Sequence, residues 1–143
     1  GVSMAKQSKV PGIERRVLPR CPIDTEVNVT INSQGAEMQF LTKSANISLR
    51  GIELSCDDGL IQAILAQKTY PHICNISFKL PGYVKAFEVK TQVVTHRRLS
   101  QQHYQLILLF VNLSKRAQEK LLNELASFRV MTIYKEERIA LAV

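Results

Sequence analysis

Residues 46–56 have the sequence Asn-Ile-Ser-Leu-Arg-Gly-Ile-Glu-Leu-Ser-Cys, and their second half has the pattern of a β-strand. After Gly51, apolar and polar residues alternate with a period of two, which is typical of a strand with one face in a core. The apolar positions are Ile52, Leu54 and Cys56. The sequence therefore predicts a half-buried strand over residues 51–56.

The first half of the same stretch has the pattern of a corner between two strands. Asn46 and Ser48 are two residues apart, so in an extended chain their side chains lie on one side while Ile47 faces the core. Gly51 suits a tight turn or a close approach of the backbone to a neighbour. Asn, Ser and Gly are also the residues that corners prefer for conformational reasons alone. The corner by itself therefore does not identify a function.

Further alternating segments on both sides of this strand predict a mainly β fold. They are separated by short polar or Gly- and Pro-containing connections, of which Asn32 to Gly35 is predicted to be a turn. Six strands at this short spacing favour a barrel or a sandwich. The predicted strands cover residues 26–31, 36–44, 51–56, 74–80, 87–96 and 104–111.

Two helices are predicted outside the strands. Residues 60–67 form an apolar segment typical of a short helix. Ser114 is a suitable N-cap, and the apolar residues that follow it recur at helical spacing, which predicts an amphipathic C-terminal helix from about residue 115. From Val130 onward, β-branched and aromatic residues lower the helix propensity, so the sequence leaves the end of this helix open.

The composition indicates one globular domain without a catalytic centre. The chain has 143 residues, enough for one domain with a core. Its apolar runs are far shorter than a membrane span and it has no secretory pattern, so we expect a cytoplasmic protein. The three cysteines are predicted to be reduced core residues, and no two histidines have metal-ligand spacing. A Gly-rich phosphate loop and a nucleophile motif are both missing, so we expect neither an enzyme nor a cofactor.

Positive charge is concentrated at the N-terminus. The first twenty residues contain five basic residues and one acidic residue, a net charge of +4 out of +7 for the whole chain. Residues 1–13 are polar and contain Pro11-Gly12, so we expect a flexible arm, followed by one domain over residues 14–143. Gly1 to Ser3 precede Met4 and are interpreted as a cloning remnant. A local basic excess favours an anionic partner such as a phosphate, a nucleic acid or a membrane surface.

Residues 15–20, Arg-Arg-Val-Leu-Pro-Arg, join this arm to the first strand. Pro19 excludes a regular helix, so Arg16 and Arg20 do not form a helix face, and a turning backbone lets them converge on one ligand. Guanidinium groups donate paired hydrogen bonds to phosphate oxygens and to guanine O6 and N7, and they stack on bases. A solvated basic arm is the alternative interpretation unless a second motif accompanies the arginines.

The two motifs together resemble the signature of the PilZ family. They are Arg-x-x-x-Arg at residues 16–20 and Asn-x-Ser-x-x-Gly at residues 46–51, with one predicted hairpin between them. The resemblance runs from about Glu14 to the C-terminal helix. It implies a six-stranded antiparallel β-barrel with a C-terminal helix, in a bacterial receptor that binds the second messenger cyclic di-GMP.

The same resemblance assigns roles to individual residues. The arginines would hold phosphates and guanine from the arm, and Asn46 and Ser48 would bind the other side of the nucleotide at a corner that Gly51 keeps compact. The family more often has Asp at the position of Asn46, whose amide offers one acceptor and one donor group in place of a carboxylate. The ligand-binding residues implied are Arg15, Arg16, Arg20, Asn46, Ser48 and Gly51.

The implied mechanism is a conformational switch, with two alternatives. The arm would close over the nucleotide and present a changed surface to a downstream protein of unknown identity. A PilZ-fold adaptor that binds a protein but no nucleotide is the first alternative, and the retained motifs argue against it. A barrel that binds RNA or single-stranded DNA is the second. Aromatic residues are only 6% of the chain and none interleaves with residues 15–20, so specific nucleic-acid binding is not expected.

Overall fold

The computed structural model describes residues 20–142, with side chains except those of residue 132 and residues 139–142. Six strands and two helices follow one another along this part of the chain. The helices are α1, which lies between the third and fourth strands, and α2, which follows the last strand. The bounds are β1 Glu26–Ser33, β2 Ala36–Ile47, β3 Gly51–Cys56, α1 Asp58–Leu65, β4 Ile73–Phe78, β5 Phe87–Arg98, β6 Tyr104–Val111 and α2 Lys115–Ala142.

The six strands form a closed barrel in the order β1-β2-β3-β6-β5-β4. Every neighbouring pair is antiparallel, and β1 closes the barrel by pairing with β2 on one side and β4 on the other. Among the described strands, closure leaves no free sheet edge for pairing with another chain. The predicted six-stranded antiparallel barrel with a C-terminal helix is confirmed, and of the two architectures that the strand spacing favoured, the molecule has the barrel.

The barrel interior is built from the alternating apolar positions that predicted the strands. Val27, Val29 and Ile31 of β1 are completely buried, while the residues between them face outward. The turn predicted after β1 is confirmed, and Gln34 and Gly35 at its tip both have positive φ. Such a turn matches the right-handed twist of the two strands that it joins.

The short helix α1 begins at Asp58, two residues before the predicted start. The carboxylate of Asp57 accepts a hydrogen bond from the backbone N–H of Leu60 at 3.3 Å, so Asp57 caps the helix. The cap interaction explains why the helix starts at Asp58. Four apolar residues of α1 are buried with those of the barrel, while Leu65 at the end of the helix is exposed; the buried ones are Leu60, Ile61, Ala63 and Ile64.

The helix α2 packs on the barrel with its first half. The hydroxyl of Ser114 accepts a hydrogen bond from the backbone N–H of Ala117 at 3.1 Å, which confirms the predicted N-cap. Leu121 and Leu125 are buried, and Phe128 packs against the core. The helix then continues to Ala142, although the described side chains beyond Phe128 are exposed. Relative to alanine, each β-branched residue lowers the stability of a helix by less than about 1 kcal/mol, which is too little to end the helix.

The cysteines Cys21, Cys56 and Cys74 are buried in the core, as predicted, and Cys56 and Cys74 are free thiols. Burial raises the pKa of the Cys56 and Cys74 thiols to about 12, so both stay protonated at neutral pH. Within residues 20–142, no three His, Cys, Asp or Glu side chains are grouped as a metal ion would require. In the same part of the chain, neither helix is long and apolar enough to cross a membrane.

Candidate functional site

The corner predicted at residues 46–51 is the hairpin between β2 and β3. Ile47 and Ile52 are opposite each other at its base, and the backbone N–H of Ser48 donates to the carbonyl of Gly51 at 2.9 Å. The Ser48 hydroxyl oxygen accepts from the backbone N–H groups of Arg50 and Gly51 at 3.3 and 3.2 Å. Ser48 therefore shapes the corner with its side chain while remaining partly exposed to solvent.

Gly51 allows two strands to come into close contact. A Cβ atom at this position would lie 2.1 Å from the carbonyl oxygen of Leu108 on β6, which no side chain can tolerate without a backbone shift. The backbone N–H of Phe110 donates to the carbonyl of Arg50 at 2.9 Å, so the corner is bonded to the same strand. The predicted close approach is confirmed, and the neighbour is strand β6.

A β-bulge in β2 turns Asn46 outward. Ser44 and Ile47 are both buried although they are three residues apart, and the register of β2 against β3 shifts between Ser44 and Asn46. The extra residue in the bulge reverses the inside-outside alternation, as bulges do. Asn46 therefore lies on the outer surface directly opposite Glu53 of β3, and its Nδ2 donates to Glu53 Oε1 at 3.2 Å.

Arg20 lies beside the same pair. Cys21 exchanges two backbone hydrogen bonds of 2.8 Å with Ile47, which fixes the entering chain alongside β2. This bridge brings Arg20 Nη1 to 3.7 Å from Glu53 Oε1, the oxygen that accepts from Asn46. The Arg20 side chain is 68% exposed and that of Glu53 only 14% exposed. Arg20 and Asn46, one residue from each motif, therefore meet at one carboxylate.

Arg15 and Arg16 lie outside the described residues, as does the predicted arm over residues 1–13. The part of the first motif that the structure describes is Arg20. The structure thus brings Arg20, Asn46 and Ser48 to one surface together with Glu53, and this surface is called the corner surface below. Gly51 is buried in the same hairpin.

Glu53 is a residue of the corner surface that the sequence motifs do not include. It is reached by counting across the hairpin, because the residue opposite Asn46 follows Gly51 by two positions on the outer face of β3. The hydrophobic pattern of β3 predicts that residue 53 faces outward, but only the register identifies its neighbour. Once the length of the turn is known, the sequence therefore identifies Glu53 as the cross-strand neighbour of Asn46.

A groove adjoins the corner surface on the side of α2. It has a volume of about 310 Å³ and lies between the chain at residues 20–22 and the second half of α2. Arg20 and Arg129 both line it, so it offers positive charge from two elements. Glu136 lines the same groove and partly offsets this charge.

Comparison with known proteins identifies solved structures of the same fold. The PilZ domain of YcgR from Escherichia coli, solved with c-di-GMP, has a TM-score of 0.59 at 14% identity, over 86% of this chain and 98% of that one. MrkH of K. pneumonia, solved as a c-di-GMP complex, has a TM-score of 0.61 at 15% identity, over 87% and 55%. The Bacillus subtilis inhibitor of motility MotI/DgrA has a TM-score of 0.56 at 21% identity, over 81% and 52%.

These similarities establish that the chain has a PilZ-like fold. At such identities they concern the fold. The chain spans about half the length of MotI/DgrA and MrkH and nearly all of the isolated YcgR domain. No protein-family model matches the chain, and its sequence is not significantly similar to a curated protein.

Proposed function

We propose that this protein is a receptor that binds cyclic di-GMP at the corner surface and catalyses no reaction. The observation that carries the proposal is the convergence of Arg20 and Asn46 on Glu53, which joins the two sequence motifs at one place on the outside of the barrel. Two of the solved PilZ-like structures, those of YcgR and MrkH, contain c-di-GMP, which supports the choice of ligand.

The chemistry of the corner surface suits an anionic guanine nucleotide. The exposed guanidinium of Arg20 is available to phosphate oxygens or to a guanine face. Arg15 and Arg16 precede it in the same short segment and would add two further cations. Asn46 and Ser48 supply polar groups on the barrel side, and the hydroxyl of Ser48 is held in place by the turn backbone.

The proposal includes a role for the N-terminal arm. The arm, residues 1–13, would close over the bound nucleotide together with Arg15 and Arg16 in the segment that follows it, because these arginines can contact phosphates only if this part of the chain lies against the barrel. Closure would change the surface that the domain presents and so signal to a downstream protein. Cyclic di-GMP is a bacterial second messenger, so the proposal also implies a cytoplasmic protein.

Calorimetric titration with cyclic di-GMP tests this function. We expect saturable binding that GTP does not reproduce and a loss of affinity of about tenfold or more in Arg20→Ala, because a charge-assisted contact is removed. Arg16→Ala should show a similar loss. Arg116→Ala removes the same charge from the exposed first turn of α2, in neither motif, and should bind like the unaltered protein.

A different outcome would change the class of protein. If the unaltered chain releases no heat with cyclic di-GMP and its melting temperature stays the same, the receptor proposal fails. The protein would then be a PilZ-fold adaptor that recruits a partner without nucleotide. Strongly salt-dependent binding of generic oligonucleotides, without a response to cyclic di-GMP, would instead indicate a nucleic-acid-binding barrel.

A further inference from the structure

The amide of Asn46 can contact Glu53 through only one of its ends. An ionised carboxylate accepts hydrogen bonds and donates none, so it must face the NH₂ group of the amide. The 3.2 Å contact of Nδ2 with Glu53 Oε1 has this arrangement. The amide oxygen, Oδ1, therefore points away from Glu53. This orientation follows from the chemistry of the pair, because the opposite one would set two acceptors against each other.

The position of Glu53 makes this orientation firm. Its side chain is 14% exposed and lies between Arg20 and Asn46 on the outer face of the barrel. Water has little access to the carboxylate, so its hydrogen bond to Asn46 is not easily replaced. The ion pair with Arg20 contributes little to stability, because the arginine side chain is 68% exposed. The main effect of Glu53 is therefore on the geometry of the corner surface.

We propose that Glu53 is a positioning residue that turns the Asn46 carbonyl oxygen toward the ligand. Resting on the proposed function, the inference is that Oδ1 accepts a hydrogen bond from the N1–H or N2–H₂ group on the guanine edge. Asn46 then supplies the acceptor that a carboxylate would supply at the same position. The pair Asn46 and Glu53 thus replaces a single Asp, and it selects a base edge that presents donors, as guanine does.

The proposal has a consequence for substitution by Asp. With Glu53 present, Asn46→Asp places two carboxylates in direct contact on neighbouring strands, where like charges repel. The introduced carboxylate would turn away or take up a cation that the nucleotide needs. When Glu53 is also changed to Gln, the new amide can donate to the introduced carboxylate and hold it in place. The effect of Asn46→Asp should therefore change sign with the residue at position 53.

This coupling is tested by titrating four proteins with cyclic di-GMP in the calorimeter, namely the unaltered chain, two single variants and their double variant, with a fifth protein as the control. We expect Asn46→Asp to bind about tenfold more weakly than the unaltered chain, and Glu53→Gln to bind several-fold more weakly because the Asn46 amide can then flip. The double variant Asn46→Asp/Glu53→Gln should recover to within about threefold of the affinity of the unaltered protein. Residues in contact commonly show coupling energies as large as this recovery requires. Glu88→Gln, which neutralises an exposed carboxylate on β5, is the matched control and should leave affinity unchanged.

The outcomes separate this inference from the function on which it rests. If the unaltered chain binds but Asn46→Asp binds equally well or more tightly, or if the two changes are additive, the positioning role of Glu53 is wrong and the receptor function stands. If the unaltered chain does not bind, both fail. Melting temperatures of the four proteins show whether a weak binder is folded. Rescue by the second substitution cannot come from a merely structural role of Glu53.

Discussion

Gly51 is the residue on which the corner surface most depends for its shape. The backbone carbonyl of Leu108 occupies the space that a Cβ atom would need, so β3 and β6 approach each other only because position 51 has no side chain. Arg50 and Ser48 are bonded to the same turn, which transmits any shift at Gly51 to the polar groups around it. The glycine of the second motif therefore acts through packing.

We predict that Gly51→Ala lowers the free energy of unfolding by about 2 kcal/mol, because the methyl group forces two backbones apart. Gly59→Ala is the matched control, since a Cβ there would be 3.4 Å from an Asp57 oxygen, an ordinary contact. It should leave the stability unchanged or raise it by up to about 1 kcal/mol. Urea denaturation of both variants measures these differences. Equal stability of the two would contradict the packing role of Gly51.

For single residues, the sequence predicted which residues form the corner better than it predicted which residues they contact. Asn46, Ser48 and Gly51 could be selected because their spacing matched a corner. The outward direction of Asn46 was predicted from Ile47 facing the core and is confirmed, but the bulge that separates it from the buried Ser44 was not predicted, because no alternation pattern locates it. Glu53 was missed because its importance comes from register and from Arg20, which is positioned by the backbone bridge between residues 21 and 47.

The secondary-structure elements followed the sequence closely where one face is buried. All six strands were predicted, those of β1, β3 and β4 because their apolar residues alternate, and the N-cap of α2 was predicted because Ser114 precedes a run with helical spacing. The end of α2 was left open because β-branched and aromatic residues from Val130 onward lower the helix propensity. The helix nevertheless continues to Ala142, and its described side chains beyond Phe128 are exposed, so no alternation of buried positions marks the boundary.

The proposed closure of the N-terminal arm is tested at the scale of this element. Trypsin cleaves after Lys and Arg, so Lys6 and Lys9 in the arm and Arg15 and Arg16 in the segment after it report on closure. We predict that saturating cyclic di-GMP slows cleavage at these sites, because closure shields the backbone. Cleavage after Lys85, in the exposed loop between β4 and β5 and away from the corner surface, should be unchanged and serves as an internal control. Mass spectrometry of timed digests distinguishes the sites, and equal arm cleavage with and without the nucleotide would reject closure.

The whole molecule places its candidate site at a junction of three parts. The entering chain, the β2–β3 hairpin and the second half of α2 all border Arg20, through the Glu53 contact and the adjoining groove. A ligand bound at the corner surface would therefore contact the entering chain at residues 20–22 and lie beside α2, and both are surfaces through which a signal can pass.

The location of the ligand is the most direct test at this scale. The protein, at 16.2 kDa, is small enough for two-dimensional NMR of its backbone amides during titration with cyclic di-GMP. We predict that the largest shift changes occur at residues 20–21 and 46–53, with little change at the β1–β2 turn of residues 33–36. Saturable shifts at the corner surface would establish the site. Shifts confined to other strands, or none at a saturating concentration, would contradict it.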